Sequence, residues 1–370
     1  MNRYFLYLIM LNMLTNVVAY VPHMLLEERL SGSVLSMLIA VPIGLLFSYI
    51  FYKTMSKFPG ETYPQIVKRH MPGWLVTVYV LFVSLMWFAA GLLTLQAFSH
   101  LSERFIDPEI NPGYLIGIYL VVVCFGAVMK SDRILYALEL VMIFCVPLVL
   151  LIFFKAYANE YMSWDAVLES LSHYREPPSW NGVAAASYTM LGISNLAVFN
   201  RILKGKITWK YWLLIGVGGM VNLFTTMYIP IGVNGVEGIQ DYVYPWIMTA
   251  DALRMEYGFI ERVLFVFLLL YLAMSLVYVS ILWHVSIELG KEVLPGQKLK
   301  WKGMPVVPGI FLLAFCSISI SLALKVDEYL IYNIGRIYLQ ALLPINILAA
   351  GLMIWIVWRE KKWRPSESSS

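Results

Sequence analysis

Two short stretches place polar side chains inside otherwise apolar segments. In LTNVVAYVP, from Leu14, Thr15 and Asn16 are followed six residues later by Pro22. In AAASYTMLGISNLAVFN, from Ala184, Ser187, Thr189, Gly192, Ser194 and Asn195 interrupt a second apolar run. A helix broken at such points frees backbone N–H and C=O groups, and a half-helix N-terminus attracts an anionic group such as a carboxylate. The chemistry this offers is non-covalent capture of a small molecule. Ser, Thr and Gly also serve in membrane helices simply to let neighbours approach, and for any one of these residues that packing role stays open. Two polar interruptions together favour a binding site.

Other candidates are sparse. Glu139 is the only carboxylate well inside an apolar stretch, and an intramembrane carboxylate is a candidate proton-carrying or gating group. The structural alternative is that it pairs with Arg133 or Lys130 or reaches cytoplasmic water; Arg336 is expected to snorkel to the surface or pair with Asp327 or Glu328. Tyr278 could form a wall of the site. Ser275 and Ser280 are five residues apart and do not supply the adjacent hydroxyls of a sodium site; His284 reads as a satisfied interfacial histidine. The five histidines form no HExxH, and Cys124, Cys145 and Cys316 have no disulfide or metal spacing. No nucleophile–base pair or ligand cluster stands out, so the expectation is a non-enzyme without metal, cofactor or nucleic-acid partner.

The elements that must hold these residues are membrane helices. The chain is 60% apolar and 14% charged, with mean hydropathy +0.72, against about 25% charged residues in a soluble domain. Nine stretches of at least 20 residues lack Asp, Glu, Lys and Arg: 4–26, 30–52, 71–102, 110–129, 177–200, 211–236, 263–287, 303–324 and 337–358. A tenth, 134–154, is interrupted only by Glu139. About 20 apolar residues cross the hydrocarbon core, so the expected fold is an all-α integral membrane protein with ten transmembrane helices. Its transmembrane domain covers 1–358. The first run, 23 residues long, exceeds a signal-peptide core, so helix 1 is expected to be retained.

Ten helices divide into two five-helix sets, about 4–157 and 182–358, and an odd-numbered repeat inserts upside down relative to its copy. Inverted repeats place a ligand near the midplane where the first helix of each repeat is interrupted, and the two polar stretches fall in helices 1 and 6. The termini and the loops on their side hold 19 Lys and Arg against seven in the opposite loops, which puts both termini in the cytoplasm. The loops 159–181 and 237–261, rich in Trp, Tyr and Pro, are expected to lie along the outer interface. Residues 60–73 read as a short interfacial helix, and 359–370 as a disordered cytoplasmic tail.

With these elements in order, the chain resembles the spore germination protein family typified by the B subunits of endospore germinant receptors, ten-helix members of the amino acid–polyamine–organocation transporter superfamily. The carriers are AYVP in helix 1, KFPGETYPQIVKRHMPGW after helix 2, DRILYALELVMIFCVP in helix 5, the YPW segment Tyr244–Trp246 and FIERVLF from Phe259. The chain has Thr15-Asn16 where the family often has Gly-Ser, and Ser194-Asn195 where helix 6 often carries Glu. The resemblance implies a multi-pass protein of the spore inner membrane. It would bind a small nutrient, amino acid-like, between helices 1 and 6 and signal to A-type and C-type (lipoprotein) subunits. A proton-coupled secondary transporter of amino acids or related molecules, using the same site, is the alternative.

Overall fold

A computed structural model of the protein describes residues 3–203, 206–253, 262–294, 300–301 and 304–363. Among these, seven helices are long and apolar enough to cross a membrane: helix 2 (Ser33–Met55), helix 3 (Gly73–Phe105), helix 5 (Ser131–Tyr157), helix 7 (Trp209–Asn234), helix 8 (Val263–Val293), helix 9 (Val306–Lys325) and helix 10 (Glu328–Trp363). Two bent pairs complete the interrupted spans. Helix 1 is 1a (Arg3–Thr15) and 1b (Tyr20–Glu27), bent by 55°; helix 6 is 6a (Trp180–Tyr188) and 6b (Leu191–Phe199), bent by 54°. Helix 4 (Pro112–Ala127), the tenth segment, has 16 residues, or about 24 Å.

The bends have local causes. In helix 1, Pro22 lacks an N–H to donate back to Val18, and Thr15 and Asn16 turn onto carbonyls of their own helix, Thr15 Oγ1 to Leu11 O at 2.7 Å and Asn16 Nδ2 to Asn12 O at 2.7 Å. Helix 6 breaks without a proline. Ser187, Thr189, Ser194 and Asn195 each donate to a carbonyl three residues back, and Leu191–Asn195 tightens into a 3-10 turn.

Helices 1, 6 and 8 form the interior; nearly every residue from Ala184 to Asn200 is buried. Large apolar side chains cover the outside, with Val121, Phe154, Leu313 and Leu348 more than 70% exposed. Such a surface is stable only against lipid, and the chain is a multi-pass membrane protein.

Several local expectations change. The all-helical bundle carries one two-residue ladder, Lys300–Trp301 with Met304–Pro305, between helices 8 and 9. Helix 10 continues through 359–363; the rest of the expected tail, 364–370, lies outside the described residues. The segment around YPW sinks into the bundle rather than lying at its surface: Trp246 is fully buried, donates to Thr226 O at 3.0 Å and stacks on Phe267. The helix expected between Pro59 and Pro72 is Tyr63–Lys68, started by a Thr62–Gln65 capping box.

Cys124 of helix 4 and Cys316 of helix 9, unrelated by spacing, bring their Sγ atoms to 3.3 Å. Helices 4 and 9 are the fourth members of the two five-helix sets. Mild oxidation of the purified protein in detergent should therefore join these thiols and leave Cys145 free. Peptide mapping that finds both thiols fully alkylatable after oxidation would contradict this packing of helix 4 on helix 9.

Candidate functional site

The residue that joins the two interruptions is Asn12, one turn before Asn16. Its Nδ2 donates to Tyr188 O at 2.8 Å and Thr189 O at 2.9 Å, two carbonyls at the break of helix 6. Its Oδ1 accepts from Tyr278 Oη at 2.6 Å, and the Tyr188 and Tyr278 hydroxyls lie 2.9 Å apart. Each phenol has one proton, so the order is fixed: Tyr188 donates to Tyr278, Tyr278 to Asn12, and Asn12 to the carbonyls. Bonds in such a buried chain reinforce one another. Ser48 Oγ donates to Met190 O at 2.8 Å. Three consecutive carbonyls at the helix 6 break are thus held by side chains of helices 1 and 2.

This chain of hydrogen bonds forms one wall of a cavity of about 450 Å³, within the 300–1,000 Å³ range of small-molecule sites. Helices 2, 3, 6, 8 and 10 supply the other walls. Asn12, Tyr188, Ser194, Asn195 and Tyr278 supply polar groups from helices 1, 6 and 8 and Asn346 one from helix 10, while Phe51, Phe82, Leu191 and Leu352 are among the apolar ones. Trp87 Nε1 donates to Asn195 Oδ1 at 2.8 Å, turning an indole into the cavity edge. None of the lining residues is Asp, Glu, Lys, Arg or His. The cavity therefore suits a neutral or zwitterionic molecule with a sizeable apolar part.

Of the residues singled out in the sequence, Ser194, Asn195 and Tyr278 line the cavity. Thr15, Asn16, Ser187 and Thr189 do not; each donates to a carbonyl of its own helix. Gly192 faces helix 1a, where an added Cβ would stand 2.5 Å from Leu8 O and 2.9 Å from Ile9 Cα. It is a close-approach glycine between helices. Asn12 lies outside the interrupted stretch, one turn before Asn16. The signal was available as an i, i+4 pair, Asn12 and Asn16, on one face of an apolar helix.

Glu139 lies apart from the cavity. Its partners are Arg3, at 2.9 Å, and Tyr4 Oη, at 3.0 Å, rather than Arg133 or Lys130, since the start of helix 1a packs along helix 5. Arg336 pairs with Glu27 and lies over the Tyr332 ring, while Glu328 takes Arg104 instead. Polar clusters bound the bundle at both ends. At the end carrying the termini, Arg201 and Lys291 both pair with Glu288, and His284 is satisfied by Ser131 Oγ at 2.8 Å and Ala127 O at 3.0 Å. At the far end, His23 meets Glu27 at 3.4 Å and Tyr242 O at 3.1 Å. Beside it, Ser179, the N-cap of helix 6a, donates to the Glu28 carboxylate, and burial pushes that carboxyl above the usual range.

A bundle broken in the first helix of each half, around a central cavity, has the architecture of a small-molecule membrane transporter. The fold is similar to the solved structure of Mhp1, a nucleobase-cation-symport-1 family transporter, in a closed conformation with bromovinylhydantoin bound. The TM-score is 0.57 at 13% identity, over 94% of this chain and 76% of that one. A sequence profile described as spore germination protein matches residues 2–323, and the chain belongs to that family. No curated protein matched significantly. Fold and family together make it a multi-pass membrane protein of spore germination with a transporter-like fold.

Proposed function

We propose that this protein is the membrane subunit of a nutrient germinant receptor. It binds a small, amino acid-like metabolite in the cavity beside helices 1 and 6 and signals to partner subunits. It is not an enzyme in this reading. Both termini face the cytoplasm, the membrane is the spore inner membrane, and the partners are the A-type and C-type subunits. The observation that carries the reading is the Asn12 brace. One side chain ties helix 1a, the break of helix 6 and the cavity wall, so a ligand against Tyr278 or Asn195 acts on the joint between both broken helices. A ligand shifts two states only by its differential affinity for them, and a hundredfold preference supplies about 2.7 kcal/mol.

The second reading, a proton-coupled transporter, draws on the contact of Glu139 with Arg3 and Tyr4, which fastens helix 1a to helix 5 through an intramembrane carboxylate. The similar transporter holds bromovinylhydantoin, and this cavity too would take a compact neutral ligand. The two readings part in proteoliposomes carrying an imposed proton gradient. A receptor should show saturable thermal stabilisation by one class of amino acid-like nutrient without accumulating it. Gradient-driven, saturable accumulation by the isolated protein would replace the receptor reading with the transporter. Stabilisation by no member of a broad amino acid panel would overturn the nutrient assignment.

A further inference from the structure

The cavity also has a side opening, between helices 3 and 10. Toward the far face the two helices are pinned where Tyr338 Oη donates to Met86 O at 3.0 Å. Toward the termini, Arg359 Nη1 donates to His70 O at 2.6 Å and His70 Nε2 lies 3.2 Å from Glu360. Between these pins Phe82 and Leu348 both line the cavity and are 43% and 74% exposed on the outer surface. A side chain that borders the interior and the outside at once marks the rim of an opening. Ile345 and Leu352, half-buried, continue the apolar lining.

Depth decides what covers this opening. Phe82 is nine residues from the start of helix 3, about 14 Å, and Leu348 is 11 residues from Arg359, about 16 Å. One leaflet contributes about 15 Å of hydrocarbon. The rim thus lies where the acyl chains of the leaflet on the termini-bearing side end. Water is not available there to fill an apolar cavity, and an empty one forfeits the contacts of its walls.

We propose that an acyl chain of a phospholipid from that leaflet enters between Phe82 and Leu348 and occupies the apolar part of the cavity, against Phe51, Tyr79 and Leu352. The polar part, at Asn12, Asn195 and Tyr278, remains for a small ligand. The proposal goes beyond the nutrient reading and does not require it. Lipid and ligand would share one cavity, so chain length in the surrounding membrane becomes a determinant of ligand affinity.

The test uses the full chain in nanodiscs containing a phospholipid with a diazirine at the end of one acyl chain, without nutrient. After irradiation, peptide mapping should find adducts on Met86, Trp87 or Leu191, which line the cavity, as well as on Ile118 and Phe144 of the lipid-facing surface, which lie at mid-helix. Ala349→Trp, which narrows the opening from helix 10, should abolish the interior adducts and leave those at Ile118 and Phe144. Should that variant fail size-exclusion analysis, Leu352→Trp serves the same purpose. Adducts confined to the outer surface in the parent protein, or interior adducts indifferent to the tryptophan, would overturn the proposal. Failure of the nutrient assays would leave these adducts unchanged, so the two readings are judged separately.

Discussion

Gly192→Ala should lower the thermal stability of the detergent-solubilised protein and its level in the membrane, an effect larger than that of any other single methyl addition in helix 6 or 7. The added Cβ would meet Leu8 O at 2.5 Å, Asn12 Cβ at 2.8 Å and Ile9 Cα at 2.9 Å. Two of those three atoms are backbone, in the interior of helix 1a, and cannot rotate away. Relief requires helices 1a and 6b to separate, which loosens the Asn12 bonds a turn away. Overpacking of this kind costs about 1–3 kcal/mol. Gly219→Ala makes the control. Its Cβ would meet Met190 Cε at 1.8 Å and Sδ at 2.6 Å, closer on paper, but both belong to the end of a flexible thioether that can re-pack. Melting temperatures measured by fluorescence-detected size exclusion should rank parent, then Gly219→Ala, then Gly192→Ala. If the two variants melt together, backbone approach of helix 1a to helix 6b is not what Gly192 provides.

Gly192 also shows where sequence reasoning stops. The breaks in helices 1 and 6 could be read from composition and order, because a Thr-Asn pair with a following proline, or five polar and small residues in nine, has few uses in an apolar span. Nine of the ten segments followed from charge-free runs, and the tenth from a run broken only by Glu139. Which way each polar atom turns did not follow. Ser187, Thr189, Ser194 and Asn195 each had two options, a ligand or the carbonyl three residues back, and spacing alone leaves both open. Partners distant in sequence were equally closed to inspection. Glu139 finds Arg3 at a separation of 136 positions and Arg336 finds Glu27 across 309, where reasoning from nearby residues offered Arg133 and Glu328. Cys124 and Cys316 meet across 192 positions for the same reason. Local chemistry marks the place of a site; packing of the two halves chooses which side chains face it.

Asn12 is where that choice has its largest functional consequence. Asn12→Ala removes two donated bonds and one accepted bond at once, leaving Tyr188 O, Thr189 O and Tyr278 Oη without that partner. Interhelical hydrogen bonds in membranes average about 0.6 kcal/mol each, and a buried group left unpaired adds about 1–3 kcal/mol. Three such bonds and one unpaired group come to about 3–5 kcal/mol, enough for the hundredfold shift that takes about 2.7 kcal/mol. The expected result is a nutrient response displaced to roughly hundredfold higher concentration, or abolished, with immunoblots showing the protein present in the membrane. Asn12→Asp should be as damaging, since a carboxylate keeps the acceptor for Tyr278 but cannot donate to the two carbonyls. Tyr278→Phe removes two bonds, to Tyr188 and Asn12, but leaves both carbonyls of the helix 6 break held by Asn12, so its displacement should be smaller than that of Asn12→Ala. This gradation separates a brace from a mere ligand contact: a contact residue would make Tyr278, on the cavity wall, at least as sensitive as Asn12. A Tyr278→Phe response displaced further than that of Asn12→Ala would move the centre of the site from the joint of the broken helices to the wall of helix 8.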